Sequence, residues 1–312
     1  MNTEANAGLG ESLARVSAPG GNTPRPFYWS VRRELWENRS IYMAPLIVSG
    51  LVMLGYAISA IGLPHRRRAL LLLDPVQQHA IVERPYDAAA MMLMLTAFLV
   101  GIFYCLDALH GERRDRSILF WKSLPVSDLT SVLAKLCVPL VILPLITFAL
   151  VEITQVIILL ISTLTLLPFG LGATTWERLP FFQLSVILLY GIVTSVLWAA
   201  PVYGWLLLVS AWARRATFLW AVLPWLAICM VEKIAFDTGR FAHLLTDRLF
   251  GRYDDAFVVV AYPHGPGIPI VDRLTQLAPL KFLNTPGLWI GLVVAVAFVA
   301  AAIQLRRSRG PL

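Results

Sequence analysis

The chain has 312 residues, 58% of them hydrophobic and 14% charged, with a mean hydropathy of +0.70 and a formal net charge of +7. Such a balance excludes an ordinary water-soluble domain and places the chain in lipid. The positive charge does not point to DNA or RNA, because the basic residues cluster at the ends of apolar stretches rather than on one face with interleaved aromatics.

The first residues are rich in Ala, Gly, Ser and Asn and lack an apolar core, so 1–26 reads as a disordered tail and not as a cleaved signal peptide. A six-span domain over 27–312 follows it. At its entry, Tyr28, Val31 and Leu35 share one helical face while Arg32, Arg33 and Arg39 supply charge. That pattern predicts a helix lying flat on the membrane, the alternative being a lead-in to the first span.

A helical crossing needs about 20 mostly apolar residues, because lipid cannot satisfy free backbone groups. Six stretches qualify: 42–63, 88–109, 132–160, 182–212, 217–236 and 288–305. The expected fold is an all-α polytopic membrane protein. With both termini on one side, fifteen Lys and Arg residues fall there and eleven opposite, a bias that favours cytoplasmic termini. His65-Arg-Arg-Arg68 in the first outer loop runs against it. Anionic lipid headgroups are the expected counter-charge.

Between spans two and three, His110 to Pro125 combines charge, aromatics and a helix stop. Glu112 and Arg116 stand four apart with the acid first, a helical pair contributing about 0.3 to 0.5 kcal/mol. Ser117 to Leu124 has the length of two turns, and Pro125 ends it. Ile118 and Trp121 would share one face, with Lys122 on another. Ser127 or Asp128 can cap the third span. A short helix carrying Phe120 and Trp121 at a charged surface has the makings of a protein-docking handle. The alternative is a surface helix that buries both rings among headgroups.

Further along, Glu152 falls inside the third span, where an ionisable group costs about 2.5 to 3.5 kcal/mol and usually faces protein or water. It lines a pathway or, with Thr147, Thr154 and Gln155, makes a polar interhelical contact. Arg214 and Arg215 occupy a tight inner turn. Glu232 and Lys233 belong near the outer interface, and Asp107 at an inner helix end. An outer cap is expected over 237–286, with a strand or buried loop at 256–262.

Cys105, Cys137 and Cys229 fall inside spans as small apolar groups, and the five histidines are scattered singly, so no zinc site and no disulfide is expected. No phosphate-binding Gly-rich loop, paired carboxylates or nucleophile constellation occurs. Neither a bound cofactor nor an enzymatic activity of this chain is expected.

The run Glu112-Arg-Arg-Asp-Arg-Ser-Ile-Leu-Phe-Trp-Lys-Ser-Leu-Pro-Val-Ser-Asp128, between spans two and three of six, resembles the cytoplasmic loop of ABC-2 type transporter permeases. The similarity of layout extends over about residue 27 to the C-terminus, and it implies short re-entrant helices in the outer segment, one of them at Leu280 to Pro286. The resemblance implies a permease subunit of an ATP-driven exporter in a bacterial inner membrane. It would pair with a second copy or a sister permease and with separate ATP-binding cassette subunits that hold ATP and Mg. By position, Glu112, Arg113, Arg114, Asp115 and Arg116 would set the electrostatic fit of a coupling helix. Ile118, Trp121 and Leu124 would fill the ATPase groove, with Lys122 and Pro125 completing it, and Arg214 and Arg215 would make a second contact. The rival readings are an ion-gradient-driven transporter or channel centred on Glu152, for which no internal repeat is seen, and a non-transporting membrane anchor.

Overall fold

The computed structural model describes residues 26–70, 75–117, 119, 127–170, 176, 180–250, 253–258 and 274–308. Positions 1–25 of the tail lie outside the described residues, as do Ile118, Trp121, Lys122, Leu124 and Pro125 of the loop. The described residues are almost wholly helical, with an isolated antiparallel bridge from Phe257 to Leu277. Among the described residues six helices are long and apolar enough to cross a membrane, which makes this an all-α, multi-pass membrane fold.

Helix α1 (Pro26–Glu37) precedes the first span, α2 (Ser40–Ala60), and α3 (Leu63–Leu70) follows it at the far end. The second span belongs to α4 (Pro75–Ala108), which starts well before the expected 88. The helix outruns its apolar stretch because Gln78, Val82, Tyr86, Ala89 and Leu93 form one continuous buried stripe, polar at its outer end. A tight step then leads to α5 (His110–Arg114).

The third span is one rod in three parts: α6 (Asp128–Cys137), a π-turn (Val138–Ile142) and α7 (Leu143–Leu166). Ser127 caps it, its Oγ accepting from the Thr130 amide at 3.1 Å. Pro139 and Pro144 each lack the N–H that the helical ladder requires, and the turn widens so that the Leu143 amide donates to the Val138 carbonyl.

The fourth span, α8 (Phe181–Trp212), is the axis of the fold and packs along the last, α13 (Pro286–Ser308). They approach closely because the contact is built from small residues: a Cβ at Gly204 would meet the Ala295 carbonyl oxygen at 3.1 Å. The main core cluster lies in the half of the bundle nearer α1, around Tyr104, Cys105, Val132, Leu207 and Ala302. By contrast, the fifth span, α9 (Thr217–Phe236), is mostly exposed and is held through Trp205, whose Nε1 donates to Ala221 O at 3.1 Å.

Beyond α9 the chain turns at Asp237 into α10 (Arg240–Phe250). Glu232 makes this elbow, accepting from Thr238 Oγ1 at 2.8 Å and from the Arg240 and Phe241 amides at 2.9 and 2.8 Å. Two short helices, α11 (Tyr253–Ala256) and α12 (Pro279–Leu283), complete the described part of the segment. Phe257 and Phe282 bury against Trp198 and Leu288, seating it on α8 and α13. The expected short helix before the last span is α12. Within 256–262, Ala256 closes α11, Phe257 makes the bridge and 259–262 lie outside the described residues.

Candidate functional site: a buried charge network where α1, α5 and α13 meet

At the membrane face that carries both termini, five elements converge on a cluster of ionised side chains. Glu34 of α1, Glu112 of α5, Lys135 of α6 and Arg306 of α13 are each at most 7% exposed at the side chain. Lys135 Nζ lies 2.8 Å from Glu34 Oε1 and 3.1 Å from Glu112 Oε1. Arg306 reaches Glu112 Oε2 at 3.2 Å through its Nη2 and Asp128 Oδ1 at 3.1 Å through its Nε. Tyr104 of α4 donates to Glu34 Oε2 at 2.8 Å. Arg33 stands 3.6 Å from Glu112 and pairs with Glu37 at 2.7 Å.

Three acids and three bases thus neutralise one another, with Glu37 at the rim. Removing one member of such a buried group leaves an uncompensated charge and costs about 3 to 5 kcal/mol. The arrangement specifies geometry more than it adds net stability, because apolar replacements of a whole pair are often no worse.

Helix α5 is the hub. Besides Glu112, its Arg113 is buried and donates through Nη1 to the Ala211 and Ala213 carbonyls at 2.8 and 3.3 Å. Those oxygens end α8, where carbonyls have no partner within the helix. Ser210 Oγ returns the contact by accepting from the Leu109 and His110 amides at 3.0 and 2.9 Å. Residues 109–113 are therefore clipped to the foot of the central helix.

The expected coupling residues divide accordingly. Glu112 and Arg113 point into the protein, whereas Arg114, Asp115 and Arg116 are exposed. Helix α5 stops at Arg114 and Arg116 has a positive φ of 58°, so the expected Glu112 to Arg116 helical pair does not form. Lys135 and Arg306 outcompete it as partners for Glu112. Arg114 instead pairs with Asp115 at 3.2 Å and reaches Asp107 at 4.0 Å. Arg214 and Arg215 are exposed in the turn whose Ala213 carbonyl Arg113 holds, so the two inner-end contacts expected from sequence are brought side by side.

Glu152 sits elsewhere, half-buried in α7, with Oε2 accepting from Ser185 Oγ of α8 at 2.9 Å. Thr147, Thr154 and Gln155 are buried in the same helix without a bond to Glu152, and Thr154 bonds Ser49 of α2 at 2.8 Å.

Sequence reasoning missed Glu34 and Tyr104, and it took Lys135 and Arg306 for charges that merely mark the inner side. A signal was present. Arg306 continues the stripe Gly291, Ala295, Val299, Ala302, and Lys135 follows Val132 on the packed face of α6. Likewise Glu34 stands with Val31 and Leu35 on the inward side of α1. A charge in register with a packed stripe calls for a buried counter-charge.

Comparison with protein-family models, curated proteins and solved structures finds no match to this chain.

Proposed function

We propose that this chain is the membrane subunit of an ATP-driven transporter of the ABC-2 type, acting as an exporter with a separately encoded ATPase. One observation carries the reading. A single short helix, α5, ties together the inner ends of α1, α4, α6, α8 and α13 from inside through Glu112, Arg113 and Ser210, while presenting Arg114, Asp115 and Arg116 outward. A push delivered to that outer rim is passed to most of the bundle, because the buried ion pairs leave α5 no soft direction in which to move alone. No phosphate-binding loop occurs in the sequence, so the partner supplies the nucleotide site.

In this reading both termini are cytoplasmic in a bacterial inner membrane, and two permeases, identical or sister chains, form the pathway. Arg214 and Arg215 extend the docking rim. The π-turn at 138–142, between Lys135 and the membrane-crossing α7, gives the third span a place to bend.

The test is purification of the tagged chain from native membranes. An ATPase subunit copurifies with the unaltered chain, and Arg114→Glu with Arg116→Glu reduces its yield at an unchanged unfolding temperature. Full retention of the ATPase by that variant would remove the rim from the interface.

A second reading rests on Glu152, whose Oε1 is buried without a hydrogen-bond partner. An ion-driven transporter centred on this acid would move cargo when reconstituted alone and lose that activity in Glu152→Gln. The ATP-driven reading predicts no movement without the ATPase.

A further inference from the structure

At the membrane face opposite the termini, α2, α4 and α7 part to leave an apolar cleft of about 400 Å³. Small side chains form much of its wall, and Leu51, Tyr56, Met92 and Ile158 complete it. Val48, Val52 and Gly55 from α2 meet Pro85, Ala88 and Ala89 from α4. The α2 stripe runs on through Ser59, and Val48 to Ser59 spans about 16 Å at the helical rise, the depth of one leaflet's hydrocarbon.

A cation hangs over the far end of this stripe. Arg66 Nη1 donates to Ser59 Oγ at 3.3 Å, and its guanidinium lies within 4.0 Å of where a Cβ at Gly62 would stand. Arg66 is exposed and has no acid partner among the described residues. Its neighbour Arg68 is also exposed and lies over the Phe169 ring at 5.4 Å, while Arg67 is buried. This is the His65 to Arg68 run that opposes the inside-positive bias, and the inner-end charge network gives it no role.

From this geometry we infer that the cleft holds one anionic phospholipid, its acyl chain along Val48, Val52 and Gly55 and its phosphate on Arg66. An arginine matches a phosphate through paired charge-assisted hydrogen bonds, and a one-leaflet apolar trough below it matches a chain. A neutral lipid would fill the trough and leave the guanidinium without a counter-ion. A transmembrane helix of a second copy is too wide for a cleft of this size and brings no phosphate. The inference requires only that the chain be membrane-embedded. It does not depend on an ATPase partner.

The test is native mass spectrometry of the full chain in detergent, titrated with dioleoyl phosphatidylglycerol and, separately, dioleoyl phosphatidylcholine. One phosphatidylglycerol is retained in preference to phosphatidylcholine. Arg66→Ala weakens retention about fivefold, the effect of one basic side chain at an anionic surface, whereas Arg240→Ala, exposed on the same membrane side, leaves it unchanged. Gly55→Phe abolishes retention without lowering the unfolding temperature, because a Cβ there meets nothing within 4 Å. Equal retention of both lipids, or undiminished retention by Gly55→Phe, overturns the assignment. A shift from dimer to monomer in Gly55→Phe with retention intact would give the cleft to a second copy.

Discussion

The two ends of the bundle handle charge differently. At the terminal end, Glu34, Glu112, Lys135 and Arg306 are drawn inside and neutralise one another at 2.8 to 3.2 Å. At the other end Arg67 and Glu83 are buried as well, but Arg66 and Arg68 stay exposed, and Glu232 is used to start a helix. Where charge is buried it fixes the relative positions of helices; where it is left open it is available to something outside the chain. The loop at 110–116 contains both kinds within seven residues, and the proposed coupling role rests on that juxtaposition.

The sharpest way to break the contrast is Lys135→Met, which leaves Glu34 and Glu112 facing each other without their shared cation. It should lower stability by about 3 to 5 kcal/mol, read as a fall in the unfolding temperature in detergent. Adding Glu34→Gln to that variant should return about 1 to 2 kcal/mol, since one uncompensated acid is removed and Tyr104 keeps an acceptor. A double variant less stable than Lys135→Met would show that the pair is not coupled as described. Gly204→Leu tests the packed axis, which charge does not hold. Forcing a side chain against Ala295 should cost about 1 to 3 kcal/mol in the same melt. Smallest are the exposed charges: Arg68→Ala and Arg114→Glu should each shift stability by no more than about 0.5 kcal/mol. A large loss from either would place that side chain inside the fold's own bonding.

The membrane spans were legible because lipid imposes a length and an apolarity that few other structures share. Their ends were less so. The second span begins earlier than its apolar stretch, as Gln78 and Tyr86 continue its buried face where hydropathy has already fallen. The hub of the inner end was half legible. The loop was singled out for its charges, but their division into inward Glu112 and outward Arg114 depends on partners 23 and 194 positions away, Lys135 and Arg306, that no local pattern connects. Glu34 was hidden for a related reason: on a helix already rich in Arg and Glu, one more acid attracts no notice until its place on the packed face is considered.

The proposed function stands or falls on whether α5 is a point of attachment for a separate motor. The direct measurement is the stoichiometry of ATPase subunit recovered with the tagged chain from native membranes, compared between the unaltered chain and the Arg114→Glu, Arg116→Glu variant. The account predicts an ATPase present with the former and depleted from the latter at equal unfolding temperature. Recovery of a folded chain with no ATPase at all, able to move cargo alone in proteoliposomes, would contradict it.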